Sequence, residues 1–193
     1  MISSKTECLP DGFRALVLGG AGGIGHALKD FLENDPDCST VISISRSTHP
    51  FFDLESPDCP GSTLSFLGSQ APFDLVIDAT GILSLNGKGP EKSMMALVGD
   101  DLHRIMQINA IGPLLVLKAL APHLTKGSGC YAKLSARVGS ITDNKLGGWY
   151  GYRASKTALN MFLQTAAIEL QRERPLLRIA ALQPGTCLLY TSP

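Results

Sequence analysis

Apolar positions along this chain fall into short unbroken runs separated by stretches of helical spacing. Phe13 to Leu18 has the length and composition of a buried strand, and it feeds a glycine-rich turn, Gly19 to Gly25. His26 to Glu33 then predicts a helix with Ile24, Leu28, Phe31 and Leu32 turned inward. Thr40 to Ser45 predicts a second strand. Residues 49–71 are interrupted by Pro50, Pro57, Pro60, Gly61 and Gly68, and show little periodicity beyond a short third strand near Leu64 to Leu67. Phe73 to Ala79 is a buried strand stopped by Thr80-Gly81, and Lys88 to Ser93 reads as loop. Helices follow over 99–109 and 113–124, separated at Gly112-Pro113. Cys130 to Leu134 and Arg178 to Leu182 predict the fifth and sixth strands. Between them lies a long helix, Tyr152 to Glu173, with Ala154, Ala158, Phe162, Thr165, Ala166 and Leu170 on one face. Alternation of strands and helices implies an α/β fold, a doubly wound parallel sheet with helices on both faces.

The glycine turn adds chemistry to that pattern. Strand, glycines and helix in this order are the context of a Rossmann-like dinucleotide site. Gly19, Gly20, Gly22, Gly23 and Gly25, with Ile24, allow a tight turn and close backbone approach to a pyrophosphate. The helix N-terminus supplies free N–H groups. About 20 residues further on, where such a fold meets the adenosine ribose, the chain carries Ser45-Arg46-Ser47. An acid there grips the 2′-hydroxyl of NAD, whereas the Arg46 guanidinium suits a 2′-phosphate. NADP is therefore expected, with NAD as the alternative; Asp53 is a further candidate, for the adenine.

The long helix opens with Tyr152-Arg153-Ala154-Ser155-Lys156. Residues i and i+4 share a helix face, which stacks the Lys156 ammonium against the Tyr152 phenol. A phenol is a poor acid at neutrality, with a pKa of about 10. A cation within about 4–6 Å favours the phenolate and makes the tyrosine a usable general acid or base. Tyr150 stands six residues from Lys156, off its face.

Composition narrows the partners. Lys+Arg and Asp+Glu are both 17, so no basic surplus points to nucleic acid or an anionic membrane. The five cysteines are scattered without Cys-x-x-Cys, and the four histidines lack ligand spacing, which argues against a metal site and suits a reducing, cytoplasmic setting. No run of 18 apolar residues and no secretory leader pattern is seen. The length fits one domain over 1–193.

Taken together, these motifs resemble the short-chain dehydrogenase/reductase family over nearly the whole chain. The family's glycine motif corresponds to Gly19 through Gly25, with Leu18 in the place of its threonine. Its Asn-Asn-Ala-Gly resembles Asp78-Ala79-Thr80-Gly81, its helix asparagine Asn109, its serine region Ser135 through Ser140, and its Pro-Gly Pro184-Gly185. The runs Ala136 to Ile141 and Gly147 to Tyr150 are most similar to C-factor-type carbonyl reductases. The resemblance implies hydride transfer between a nicotinamide and a small-molecule carbonyl or alcohol, with Tyr152 as proton donor. Lys156 would bind the nicotinamide ribose, Asn109 would serve a water relay, and a serine would hold the carbonyl oxygen. Asp78, Ala79, Thr80, Gly81, Asn109, Tyr152, Lys156, Pro184 and Gly185 join the cofactor set on the same ground. The usual serine position holds Ala136, leaving Ser135 as first candidate and Ser140 as second. The family generally pairs through its two long helices, which implies a homo-oligomer. The tail 187–193 does not resemble the family's continuation, and the expectation is a shortened chain lacking the last strand. A non-catalytic nucleotide-binding or signalling module on the same fold is the alternative reading, with a sugar-nucleotide epimerase or dehydratase behind it.

Overall fold

Five parallel strands form one sheet in the order β2-β1-β3-β4-β5. They are β1 (Phe13–Leu18), β2 (Cys38–Ile44), β3 (Leu75–Asp78), β4 (Cys130–Leu134) and β5 (Arg178–Leu182). The structure, a computed structural model, describes residues 9–48, 52–56, 59, 61–85 and 87–185. Helices α1 (Gly23–Glu33), α2 (Gly61–Gln70), α3 (Gly99–Met106), α4 (Gly112–Leu120) and α5 (Tyr150–Glu173) connect the strands. The period-two pattern of β1 splits its side chains between two cores. Leu16 and Leu18 join Val76, Tyr131, Leu117, Leu120, Leu159 and Leu163 on one face. Ala15 and Val17 join Ile77 and Leu32 on the other. Burial on both faces is why the strands read as continuous apolar runs rather than alternating ones.

Three expectations change. The third strand foreseen near Leu64 to Leu67 is helix α2; Thr63 and Leu67 are buried one turn apart while Phe66 is exposed, a helical period too sparse to register in a Ser- and Gly-rich segment. Among the described residues the sheet therefore has five strands, not six. Phe31, expected inside, is 69% exposed, because α1 begins at Gly23 and presents Leu32 to the sheet instead. Gly112-Pro113 does not interrupt the chain between α3 and α4. Helix runs on through a π-turn, Gln107–Ile111, in which Gly112 N–H donates to the Gln107 carbonyl. A proline inside a helix lacks a donor and crowds the carbonyl four residues back, here that of Asn109, and the wider turn accommodates it. By length and composition alone the run Gly99–His123 would cross a membrane, but half of it is buried inside the protein, as in the core helix of a globular domain.

The order 2-1-3-4-5 puts a topological switch between β1 and β3, since the chain moves outward to β2 on one side and to β3 on the other. In open α/β sheets a crevice opens at the carboxyl ends of the strands at that point.

Candidate cofactor cleft and active site

A cleft of about 560 Å³ occupies the switch point. Its walls are the turns that leave three strands: Gly19, Ala21 and Gly22 after β1, Ser45 to Ser47 after β2, and Ala79 to Ile82 after β3. Phe52 to Glu55 close one side. Gly19 has φ of +81°, a conformation that favours glycine, and its N–H donates to the Ile44 carbonyl at 2.8 Å. Gly22 caps α1 without a side chain, and the first turn of α1 carries no acidic residue, so its N–H groups present an unopposed positive dipole end. These features fit a dinucleotide's pyrophosphate. Gly20, Gly23, Ile24 and Gly25 do not line the cleft. Gly20 lies against Ser43, and Gly25 lies so close to Gly19 that a β-carbon would stand 2.3 Å from its carbonyl oxygen. The part of Gly25 is to bring turn and helix together.

Arg46 and Asp53 both line the cleft. Glu55 faces it too, but Arg104 engages its carboxylate at 2.8 and 3.2 Å and holds it below the usual carboxylate range. Asp78, assigned to the cofactor set, is a correction: it is fully buried beneath the cleft and does not line it. Its Oδ1 accepts from Thr80 N–H at 2.9 Å, Thr80 Oγ1 at 2.5 Å and Lys133 Nζ at 2.9 Å, and its Oδ2 accepts from Tyr131 OH at 2.9 Å. With four donors already on the carboxylate and no exposed surface, Asp78 is held inside the protein rather than turned to the cleft.

Tyr152 and Lys156 share a face of α5, with Lys156 Nζ 5.7 Å from the centre of the tyrosine ring. Trp149 meets that ring edge-on at 6.3 Å. Lys156 is 3% exposed and donates to the Leu134 carbonyl at 3.1 Å. Burial pushes its pKa down to about 7, the like charge of Lys133 pushes the same way, and Asp78 opposes both. At neutral pH this nitrogen therefore exchanges between ammonium and amine. Asn109 sits in the π-turn with no exposed surface. Its Oδ1 accepts from Ile82 N–H at 2.8 Å, and its Nδ2 donates to the Ile82 carbonyl at 2.8 Å and to Ser155 Oγ at 3.1 Å. One side chain thus ties the cleft wall, the α3–α4 run and α5 together.

The serine candidates fare differently. Ser135 lies at the end of β4 on the face covered by α5, and its hydroxyl donates to Asn160 Oδ1 at 2.6 Å. Asn160 is two turns along the helix from Tyr152, roughly 12 Å by helical rise. Ser135 lines neither cleft. Ser140 lines a second, more apolar groove along the outer side of α5, together with Tyr150 and Met161, and its hydroxyl accepts from Asp143 N–H at 3.2 Å. Pro184 and Gly185 are exposed beyond β5, and 186–193 lie outside the described residues. Among the described residues, no group of three His, Cys, Asp or Glu is placed to hold a metal.

Residues 88–93 carry more than a loop. Trp149 follows two left-handed glycines and itself has φ of +55°, a strained state for an aromatic residue. Glu91 supports it: its carbonyl accepts from Trp149 N–H, and its carboxylate accepts from Gly151 N–H at 3.3 Å, capping α5 one residue before Tyr152. Glu91→Ala is expected to cost about 1 kcal/mol through loss of the cap, lowering Tm by roughly 2–4 °C in thermal melts, with Glu91→Gln recovering most of it.

Residues 67–191, well over half of the chain, match the short chain dehydrogenase family, and the chain belongs to it. It is 29% identical over 156 residues to 1-hydroxy-2-glutathionyl-2-methyl-3-butene dehydrogenase of Rhodococcus sp., covering 76% of this chain and 66% of that one. It is 36% identical over 107 residues to C-signal of Myxococcus xanthus, covering 53% of this chain and 59% of that one. A short-chain dehydrogenase/reductase from Burkholderia multivorans solved with bound NADP superimposes with a TM-score of 0.75 at 25% identity, over 92% of this chain and 79% of that one. The chain spans about two thirds or less of the length of these two curated relatives.

Proposed function

We propose that this chain carries the nucleotide site and proton-transfer site of an NADP-dependent oxidoreductase acting on a carbonyl or alcohol. One observation carries the reading: the buried Lys156 amine joins the Tyr152 ring to the cleft wall, lying 3.4 Å from where a β-carbon on Gly81 would stand. The proton site and the nucleotide cleft are thereby adjacent. When bound, the nicotinamide supplies the hydride. Gly19, Gly22 and the first turn of α1 hold phosphate, Arg46 meets the ribose 2′ substituent, and the Gly81–Ile82 wall orients the ring end. Tyr152 OH delivers the proton to the oxygen of the reduced carbonyl, and Lys156 in its ammonium form favours the resulting phenolate. The relatives' printed activities and the NADP in the Burkholderia structure support this assignment.

The test is nucleotide titration followed by thermal shift and fluorescence. NADPH is expected to raise Tm by binding the folded state, and more than NADH does at equal concentration. Arg46→Asp is expected to raise the NADPH Kd about 10- to 100-fold, the worth of one charge-assisted hydrogen bond, and to alter that of NADH far less. Equal losses for both nucleotides would show that Arg46 does not read the 2′-phosphate.

A second reading, a nucleotide-binding module without turnover, is favoured by the commitment of Ser135 to Asn160 and by Ala136 in the adjoining position. It predicts the same NADPH-dependent rise in Tm with no NADPH oxidation by any aldehyde or ketone.

A further inference from the structure

Beneath the cleft, Lys133, Asp78, Tyr131 and Thr80 form one buried polar cluster. Lys133 and Asp78 are direct register partners across β3 and β4, both without exposed surface. All three protons of the Lys133 ammonium are placed: on Asp78 Oδ1 at 2.9 Å, the Thr80 carbonyl at 2.6 Å and Thr80 Oγ1 at 3.0 Å. A buried ion pair of this kind is seldom retained for stability alone, since a well-packed apolar pair serves as well. Its location suggests another use. Thr80 begins the strap Thr80–Ile82 that walls the nucleotide cleft. Lys156 Nζ rests against Gly81 in that strap and donates to the carbonyl of Leu134, the residue after Lys133. Both lysines thus hold one short segment, Lys133 at Thr80 and Lys156 at Gly81.

We propose that Lys133 is a positioning residue for Lys156: clamped on Asp78 and Thr80, it fixes the strap against which the Lys156 amine rests and presents a second buried positive charge to it. The inference rests on the reading of Tyr152 and Lys156 as the proton-transfer site. Among the described residues, the charged or titratable groups facing Lys156 are Asp78 from β3, Lys133 from β4 and Tyr152 from its own helix. Arg137, in the 3₁₀ turn that packs on α5, points to solvent and pairs with Asp143. Lys133 pushes the Lys156 amine toward its neutral form and Asp78 opposes it.

The experiment follows the lysine side-chain resonances of isotopically labelled protein against pH without nucleotide, with Lys156 identified by its loss in Lys156→Met. The wild-type resonance is expected to titrate near pH 7. In Lys133→Met it moves upward by about one unit, the low end of what a neighbouring charge imposes. In case the unpaired Asp78 unfolds that variant, Asp78→Asn/Lys133→Met removes both charges and the clamp on Thr80, and the resonance again leaves its wild-type position. Asp78→Asn alone moves it downward. In carbonyl-dependent NADPH oxidation, the neutral limb of kcat/KM against pH moves with the resonance. A Lys156 titration left at its wild-type position in the double variant overturns the proposal, as does a limb that stays fixed while the resonance moves. The resonance is read without nucleotide, so a wild type that NADPH fails to stabilise counts against the proposed function and not against the coupling of the two lysines.

Discussion

Tyr152→Phe is expected to lower carbonyl-dependent NADPH oxidation by about 10²- to 10⁴-fold, the contribution of a positioned proton donor. The stabilisation by NADPH should be unchanged. The substitution removes one oxygen and leaves the ring, so the edge contact with Trp149 at 6.3 Å and the position of Lys156 over the ring at 5.7 Å both persist. Nothing in the phosphate end of the cleft depends on this residue, since Gly19, Gly22 and Arg46 lie at the far side of the sheet's switch point. Loss confined to turnover therefore isolates proton delivery from binding. Turnover equal to wild type would remove Tyr152 from the chemistry, and a loss of NADPH binding would place the hydroxyl in nucleotide recognition instead. Lys156 supplies the complementary handle: with its pKa brought to about 7, its charge at working pH depends on its neighbours, which is why Lys133 matters to it.

What could be read directly from the sequence was whatever rests on local pattern. Cys130–Leu134 and Arg178–Leu182 are strands with the bounds their apolar runs imply, and Phe13–Leu18 leads into a glycine turn that faces the cleft. The stacking of Tyr152 on Lys156 follows from i, i+4 geometry alone. What was not legible depends on contacts between distant segments. Asp78 looked like a ligand-facing residue because a motif placed it beside Gly81, yet strand alternation turns it into the sheet's α5 side, where Lys133 meets it. The signal for that pair was present: a lysine inside the apolar run Cys130–Leu134 has to find a buried anion. Glu91 gave no such signal, since a cap supplied from 60 residues away leaves no local trace. The α3–π–α4 run shows how tertiary context overrides a local rule, with Pro113 absorbed by a π-turn that also aims Asn109 at Ile82.

Gly25→Ala should damage both fold and nucleotide binding, and Gly22→Ala should damage binding alone. A β-carbon on Gly25 would lie 2.3 Å from the Gly19 oxygen, 2.8 Å from the Gly19 carbon and 3.0 Å from the Gly20 α-carbon. All three are backbone atoms, so no side chain can swing aside. Helix α1 has to lift away from the turn, or the turn has to give up the bond from Gly19 N–H to Ile44. Overpacking of this kind costs about 1–3 kcal/mol, equivalent to a fall in Tm of roughly 2–12 °C for a chain of this size. The phosphate-facing N–H groups move with the helix, and the NADPH Kd should rise tenfold or more, the equivalent of about 1.4 kcal/mol. A β-carbon on Gly22 would instead stand 3.4 Å from the Gly19 oxygen, an ordinary contact, but would project where Gly22 lines the cleft. Its Tm should stay near wild type while NADPH binding weakens. Calorimetry and nucleotide titration on the two variants separate the cases, and a Gly25→Ala protein that melts and binds as wild type does would mean that the close approach of turn and helix is not what holds the site.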